Sequence, residues 1–197
     1  ATIDAIVAAG EPPSFLWVHY FDVHEPYRAT RFGERAVDRY DSEIRRVDAA
    51  LARLVREARA RLDGPLVIAV SADHGEEFRD HGGLYHGSTV YDEQVRVPLI
   101  LHVPGQPAGR VARPVELVDL APTLLGLLGV PTPPSMVGDD LRGLLEGGEG
   151  ANGGPAFASA GYRHMVVRGR EKLIADLRFG VFELFDLARD QIGRAHV

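Results

Sequence analysis

Three groups of residues in this chain carry side chains that could hold a cation or move a proton. The first is Asp73-His74-Gly75, which directly follows Ser71-Ala72 and the apolar run Leu66-Val67-Ile68-Ala69-Val70. The second is a pair of His-Gly steps, His81-Gly82 and His86-Gly87, on a glycine-spaced loop. The third is Asp22-Val23-His24-Glu25-Pro26-Tyr27, at the end of the aromatic run Ser14 to Phe21. A carboxylate such as that of Asp73 offers hard oxygens, suited to calcium, magnesium or manganese. The imidazole of His74 also tolerates zinc. A histidine titrates near neutral pH and so can protonate a leaving group. Asp-His-Gly alone is a short match; its weight comes from sitting at a strand end with two more histidines close behind. His81 fits a loop histidine satisfying nearby carbonyls as well as it fits a ligand. His19, inside an apolar run, reads as a satisfied core histidine, and His102, His164 and His196 stand in no motif.

The elements that must position these residues follow from periodicity. Leu66 to Val70 is continuous and β-branched, which predicts a strand buried on both faces, as in the sheet of an α/β protein. Ligands in such sheets bind just beyond the carboxyl ends of the strands, where Asp73 and His74 fall. Val97 to Val103 and Ser14 to Phe21 predict two further strands. From Asp38 to Leu62 the residues Ile44, Val47, Leu51, Leu54, Val55 and Ala58 recur at helical spacing, with Asp38 as a cap and Asp63-Gly64-Pro65 as the stop. Arg45, Arg46, Arg53, Glu57 and Arg59 form its solvated face. Strand, helix, strand is the unit of a parallel sheet with a right-handed crossover.

Ala1 to Gly10 has helical spacing, and Gln106 to Arg113 suggests a turn with a short edge element. Val118 to Gly129 predicts a helix, with Asp119 as cap, Pro122 in its first turn and Gly129 as stop. A short amphipathic piece follows at Asp140 to Leu145, and Gly147 to Gly154 is a flexible linker. Ala156–Ser159, His164–Arg168, Lys172–Ala175 and Val181–Leu187 then read as short strands of a small antiparallel sheet packed against the main domain.

The chain has 197 residues, 45% of them hydrophobic, enough for one domain with a sizeable core. A formal net charge of -6 without a basic stripe argues against a nucleic-acid partner. An anionic substrate must therefore be met by local positive charge. Cysteine is absent, so no disulfide framework exists. No apolar run reaches the length of a membrane span. Lys172 is the only lysine, so arginine supplies nearly all the positive charge.

Taken in order, the blocks DVHEPY, RYDSEIRRVD, SADHGEEFRDHG, HGSTVYDEQVRVPLILHVPG, VELVDLAPTLLGLLGV and FELFDL resemble the sulfatase family of the alkaline phosphatase superfamily. The resemblance runs from about Phe15 to Asp190 and covers the carboxyl-terminal part of a sulfatase. It implies an alkaline-phosphatase-like, mostly parallel sheet flanked by helices in residues 1–146. A small antiparallel subdomain would follow in 147–190. It implies hydrolysis of sulfuric esters with a divalent metal, calcium first, with magnesium, manganese or zinc as alternatives.

By the same resemblance Asp73 is a metal ligand and His74 contacts both metal and ester oxygens. His24 donates to the sulfuryl group. His86 stands where many sulfatases have a lysine that touches sulfate, one residue further from the Arg96-Val97-Pro98 anchor. Histidine at both 74 and 86 is compatible with the phosphodiesterase-like and phosphonate-hydrolase branches as well. The family nucleophile, a formylglycine made from cysteine or else a serine, lies in an upstream motif with the first metal-binding aspartates. No such motif stands in this chain, so the isolated polypeptide is expected to be inactive. The substrate implied is a small-molecule or saccharide sulfate ester, and the location periplasmic or secreted. After Asp190 the family continues into Asp-Pro-x-Glu, whereas this chain has Gln191 to Val197, which we expect to be a non-native tail.

Overall fold

The computed structural model describes residues 14–145 and 154–189. The helix expected at Ala1 to Gly10, nearly all of the glycine-rich linker, and the tail after Asp190 lie outside these residues. The chain divides into two compact units, Ala1–Leu66 and Val67–Val197.

In the first unit, helix α1 (Ala36–Arg61) begins two residues ahead of the expected cap. Asp38 acts from the third helical position instead, its Oδ2 accepting the amide of Arg35 at 3.3 Å and so satisfying an orphan donor of the first turn. Arg59 and Arg61 in the last turn complement the helix dipole. The residues this helix buries fully are Ser42, Glu43 and Ala58, while Ile44 of the predicted apolar stripe stays 44% exposed. The run Ser14 to Phe21 is not a strand. Phe15, Trp17 and Phe21 are all exposed, and His19, exposed rather than in a core, leans on the Phe21 ring at 4.4 Å. A strand needs a ladder partner to satisfy its backbone, and none pairs with this run among the described residues.

In the second unit, β1 (Ile68–Ser71) pairs with β4 (Leu99–His102) in antiparallel register, from Ile68 opposite His102 to Ser71 opposite Leu99. The expected parallel sheet is not seen: every pairing among the described residues is antiparallel. Nor is β1 buried on both faces, since half-buried and exposed residues alternate along it. Between these strands lie a hairpin of β2 (Glu77–Phe78) and β3 (Leu84–Tyr85) and a one-turn helix, α2 (Asp92–Val95). Residues 106–113 form no edge strand.

A 3-10 turn (Leu117–Asp119) leads into α3 (Leu120–Leu127), and Gly129, at φ 70, ends it with the left-handed residue such a stop requires. The side chain of Asp119 does not cap α3 but accepts the amides of Glu116 at 2.9 Å and Asp139 at 2.8 Å. Thr123, fully buried, donates to the Asp119 carbonyl at 2.7 Å and accepts the Leu141 amide at 2.8 Å, holding the approach to α4 (Arg142–Leu145). The predicted small sheet is present as β5 (Ala156–Ala160), β6 (Arg163–Arg168), β7 (Glu171–Asp176) and β8 (Val181–Asp186), a four-stranded antiparallel meander. Its inner face contributes Ile174 and Phe185 to a core with Val90, against which Tyr91 and Val95 pack. The small sheet thus backs the segment that leads into α2.

Candidate functional site

In the second unit the turn after β1 places Asp73 and His74 at the end of the strand, as the sequence indicates. The Asp73 carboxylate is open to solvent, and its Oδ1 accepts the His74 amide at 3.1 Å. His74 Nδ1 lies 2.9 Å from the Gly75 carbonyl oxygen. A carbonyl can only accept, so Nδ1 carries the proton and Nε2 the lone pair. That Nε2 lies 3.8 Å from Asp73 Oδ2. A histidine whose Nδ1 proton is held by a backbone carbonyl presents Nε2 as a ligand.

His86 comes from the loop after β3. Its ring stacks on that of His74, with centroids 3.9 Å apart and planes 22° off parallel. Its Nδ1 donates to Glu76 Oε1 at 2.9 Å, and that carboxylate is buried. Tyr85, just before it, has a φ of 71, a left-handed conformation that costs a side-chain-bearing residue energy. Asp73, His74 and His86 are therefore brought together, and the two rings form one slab. His81 points elsewhere. Its Nδ1 is 2.6 Å from Glu93 Oε1, and its ring lies flat on Tyr91 at 3.7 Å. Its role is in packing, consistent with the loop reading.

The loop is held by residues that motif spacing does not reveal. Glu77, fully buried, accepts the amides of His81 at 3.1 Å and Gly83 at 2.6 Å and the side-chain amide of Gln94 at 2.9 Å. Gln94 Oε1 accepts the amides of Ser88 and Thr89, both at 3.3 Å, and the Gln94 carbonyl accepts the Gly75 amide at 2.8 Å. Tyr91 donates to Glu183 at 2.8 Å. Burial, aided by the charge of Glu183, pushes the phenol well above its ordinary pKa. For Gln94 a signal was present in the polar run Asp92-Glu93-Gln94 between Val90-Tyr91 and Val95; Glu77 and Glu183 carry none.

In the first unit His24 sits in the turn after the extended run, its amide on the Phe21 carbonyl at 2.9 Å. Its Nδ1 donates to the Glu25 carbonyl at 2.8 Å, which fixes the tautomer as in His74. Glu43 of α1 pins the following loop by accepting the amides of Arg28 at 3.0 Å and Ala29 at 2.8 Å. Burial opposes the Glu43 charge, but those amides and the Arg46 guanidinium outweigh it and hold the carboxyl below the usual range.

Among the described residues no three His, Asp or Glu side chains converge on a point that could hold a metal ion. Asp73 and His74 supply two donors, a hard carboxylate and an imidazole in the ligating tautomer, which fits part of the shell of a divalent cation.

Residues 1–130 match the family described as Sulfatase. The chain belongs to the sulfatase family. Residues 80–193 also match the family described as N-sulphoglucosamine sulphohydrolase, C-terminal. Over 138 residues the sulfatase chain is 33% identical to the Extracellular sulfatase SULF-1 homolog of Drosophila melanogaster, a match covering 68% of this chain and 12% of that protein. Over 76 residues it is 38% identical to Arylsulfatase K of Homo sapiens, covering 38% of this chain and 14% of the human one.

Among solved structures, BT1596, a 2-O GAG sulfatase, superposes with a TM-score of 0.66 at 25% identity, covering 82% of this chain and 37% of that one. The phosphonate monoester hydrolase of Silicibacter pomeroyi superposes with a TM-score of 0.58 at 26% identity, covering 79% and 34%. The fold is the alkaline-phosphatase-like fold of sulfatases, and the chain spans a minor part of the length of the relatives it matches. No helix among the described residues is long and apolar enough to cross a membrane.

Proposed function

We propose that this chain supplies the carboxyl-terminal part of a metal-dependent sulfuric ester hydrolase. Residues 1–146 would belong to its catalytic α/β domain and 147–190 to its small sheet subdomain. The observation that carries the reading is the slab of His74 and His86, 3.9 Å apart, beside the open carboxylate of Asp73. Asp73 and His74 would hold the cation, calcium by family resemblance. That ion would supply positive charge against the ester oxygens.

The chain's own residues do the rest. The Gly75 carbonyl and the Glu76 carboxylate accept hydrogen bonds from Nδ1 of His74 and His86, so the Nε2 atoms would be the ones to meet the cation and the ester. Protonated at Nε2, His86 can donate to a sulfuryl oxygen. His24, its Nδ1 likewise committed, would donate from a protonated Nε2 to the sulfuryl group, the role that the family resemblance implies. Donors fixed in this way stabilise developing charge without reorganising. The nucleophile, a formylglycine or serine, is expected in residues outside this chain. The substrate would be a small-molecule or saccharide sulfate ester, met in the periplasm or outside the cell.

In a full-length protein carrying this chain, Asp73→Ala or His24→Ala should lower kcat/KM for an aryl sulfate by about 100-fold or more. Near-unaltered turnover in either variant would end the assignment. A second reading, a phosphodiester or phosphonate monoester hydrolase, is favoured by histidine at both 74 and 86 and by the likeness to the phosphonate monoester hydrolase. Turnover of aryl phosphonate or phosphodiester ahead of aryl sulfate would decide for it.

A further inference from the structure

The buried ion pair of Lys172 and Asp92 plays no part in the chemistry above. Lys172 lies on β7, on the inner face of the small sheet, between Val167 of β6 and Phe185 of β8 in the register. Its side chain is 1% exposed, and its ammonium is 2.6 Å from Asp92 Oδ1, also buried. Apolar residues of similar volume usually replace such a pair at no loss of stability, so a retained one points to a directional hold.

Asp92 is the first residue of α2, a helix of four residues, too short to be stable by itself. The next two residues grip the loop: Glu93 takes His81, and Gln94 takes the amides of Ser88, Thr89 and, through its carbonyl, Gly75. Gly75 adjoins His74, and Ser88 lies two residues beyond His86. The two stacked rings therefore keep their spacing because both segments are tied to α2, and α2 is tied to the small sheet. Besides the apolar packing of Val90 and Val95 on Ile174 and Phe185, two other polar links from the sheet, Tyr91 to Glu183 and Arg163 to the Ser88 carbonyl, are only partly buried or exposed.

We propose that Lys172 is a positioning residue for the His74–His86 pair, acting through Asp92 and α2. The proposal rests on the proposed function only where it speaks of turnover. The test is amide hydrogen exchange on this chain. In Lys172→Met, the amides of Gly75, Ser88 and Thr89 should exchange about 10-fold faster or more, while those of β5 and β6 keep their rates. Uniform acceleration across the chain, or none, would overturn the proposal.

Should the single variant not fold, Lys172→Met with Asp92→Asn leaves no orphan charge and should show the same selective loss. Unaltered protection of Ser88 and Thr89 in that double variant would overturn it. In the unaltered chain, Ser88 and Thr89 should open with the same denaturant dependence as Leu173 and Ile174 of β7. A separate, denaturant-independent opening of the loop would count against the link. In the full-length protein the double variant should lower kcat about 10-fold with KM within about twofold. An unmoved kcat would overturn the positioning role. A full-length protein that turns over no ester would instead sink the proposed function, and the exchange result would stand.

Discussion

Gly75 allows a sharp test of how the site is built. A Cβ at this position would stand 2.0 Å from the Glu93 carbonyl oxygen and 2.9 Å from its carbon, backbone atoms that cannot swing aside. Cβ contacts under 3.0 Å are essentially never seen, so Gly75→Ala must push α2 back by about 1 Å, at an overpacking cost of about 1–3 kcal/mol. The same movement breaks the Gly75 amide bond to the Gln94 carbonyl, 2.8 Å long, and stretches the two 3.3 Å bonds to Ser88 and Thr89 beyond use. Each lost bond is worth about 1 kcal/mol. Together these effects predict a destabilisation of about 4–6 kcal/mol. Gly87→Ala is the control. Gly87 has a φ of +81, and a methyl added there would meet nothing within 4 Å, so only the left-handed backbone resists, at about 1–2 kcal/mol. Urea unfolding followed by far-ultraviolet circular dichroism compares the two. If Gly75→Ala is no worse than Gly87→Ala, α2 does not hold the Asp73-His74 turn as described.

Three further outcomes are expected. Thr123→Val removes a fully buried hydroxyl that both donates and accepts, leaving the Leu141 amide unsatisfied at a cost of about 2 kcal/mol; a urea midpoint equal to that of the unaltered chain would contradict this. Glu43 has a folded pKa below its ordinary 4.5, so its contribution is complete above that pH and is lost as pH falls through the lowered value. Glu43→Gln should therefore flatten the acid limb of a plot of unfolding midpoint against pH, and parallel limbs would refute it. Tyr91 has a raised pKa, so its contribution is complete below about pH 10 and is lost as pH rises toward the folded value. Subtracting the ultraviolet titration of Tyr91→Phe from that of the unaltered chain should leave no phenol titrating in the ordinary range.

Much of the local structure was legible because local rules decide it. Helical spacing from Ile44 to Ala58 and the Asp63-Gly64-Pro65 stop mark α1 to within two residues, and tight turns at glycine mark β5 to β8. The site turn was legible too, since Asp73-His74 sits where an apolar run gives way to polar residues. The antiparallel pairing of β1 with β4 was not. A continuous apolar run such as Leu66 to Val70 suggests burial on both faces, yet β1 alternates half-buried and exposed residues, and the run does not say which neighbour pairs with it or in which direction. Ser14 to Phe21 shows the same gap, being apolar enough for a strand but without a partner among the described residues. The supporting shell escaped for another reason. Glu77, Gln94 and Lys172 are polar residues at core positions, where hydrophobic patterning expects none. Only the fold shows that each is spent on a backbone amide or an opposite charge. In α1 the same inversion buries Ser42 and Glu43 while Ile44 faces out.

The enclosure of Lys172 also has a practical side. It is the chain's only lysine, and at 1% exposure its amine is closed to acylating dyes, crosslinkers and resins. Surface coupling through lysine will therefore fail on the native chain. Any tag that does appear at this position becomes a stopwatch for the moment the small sheet lets go.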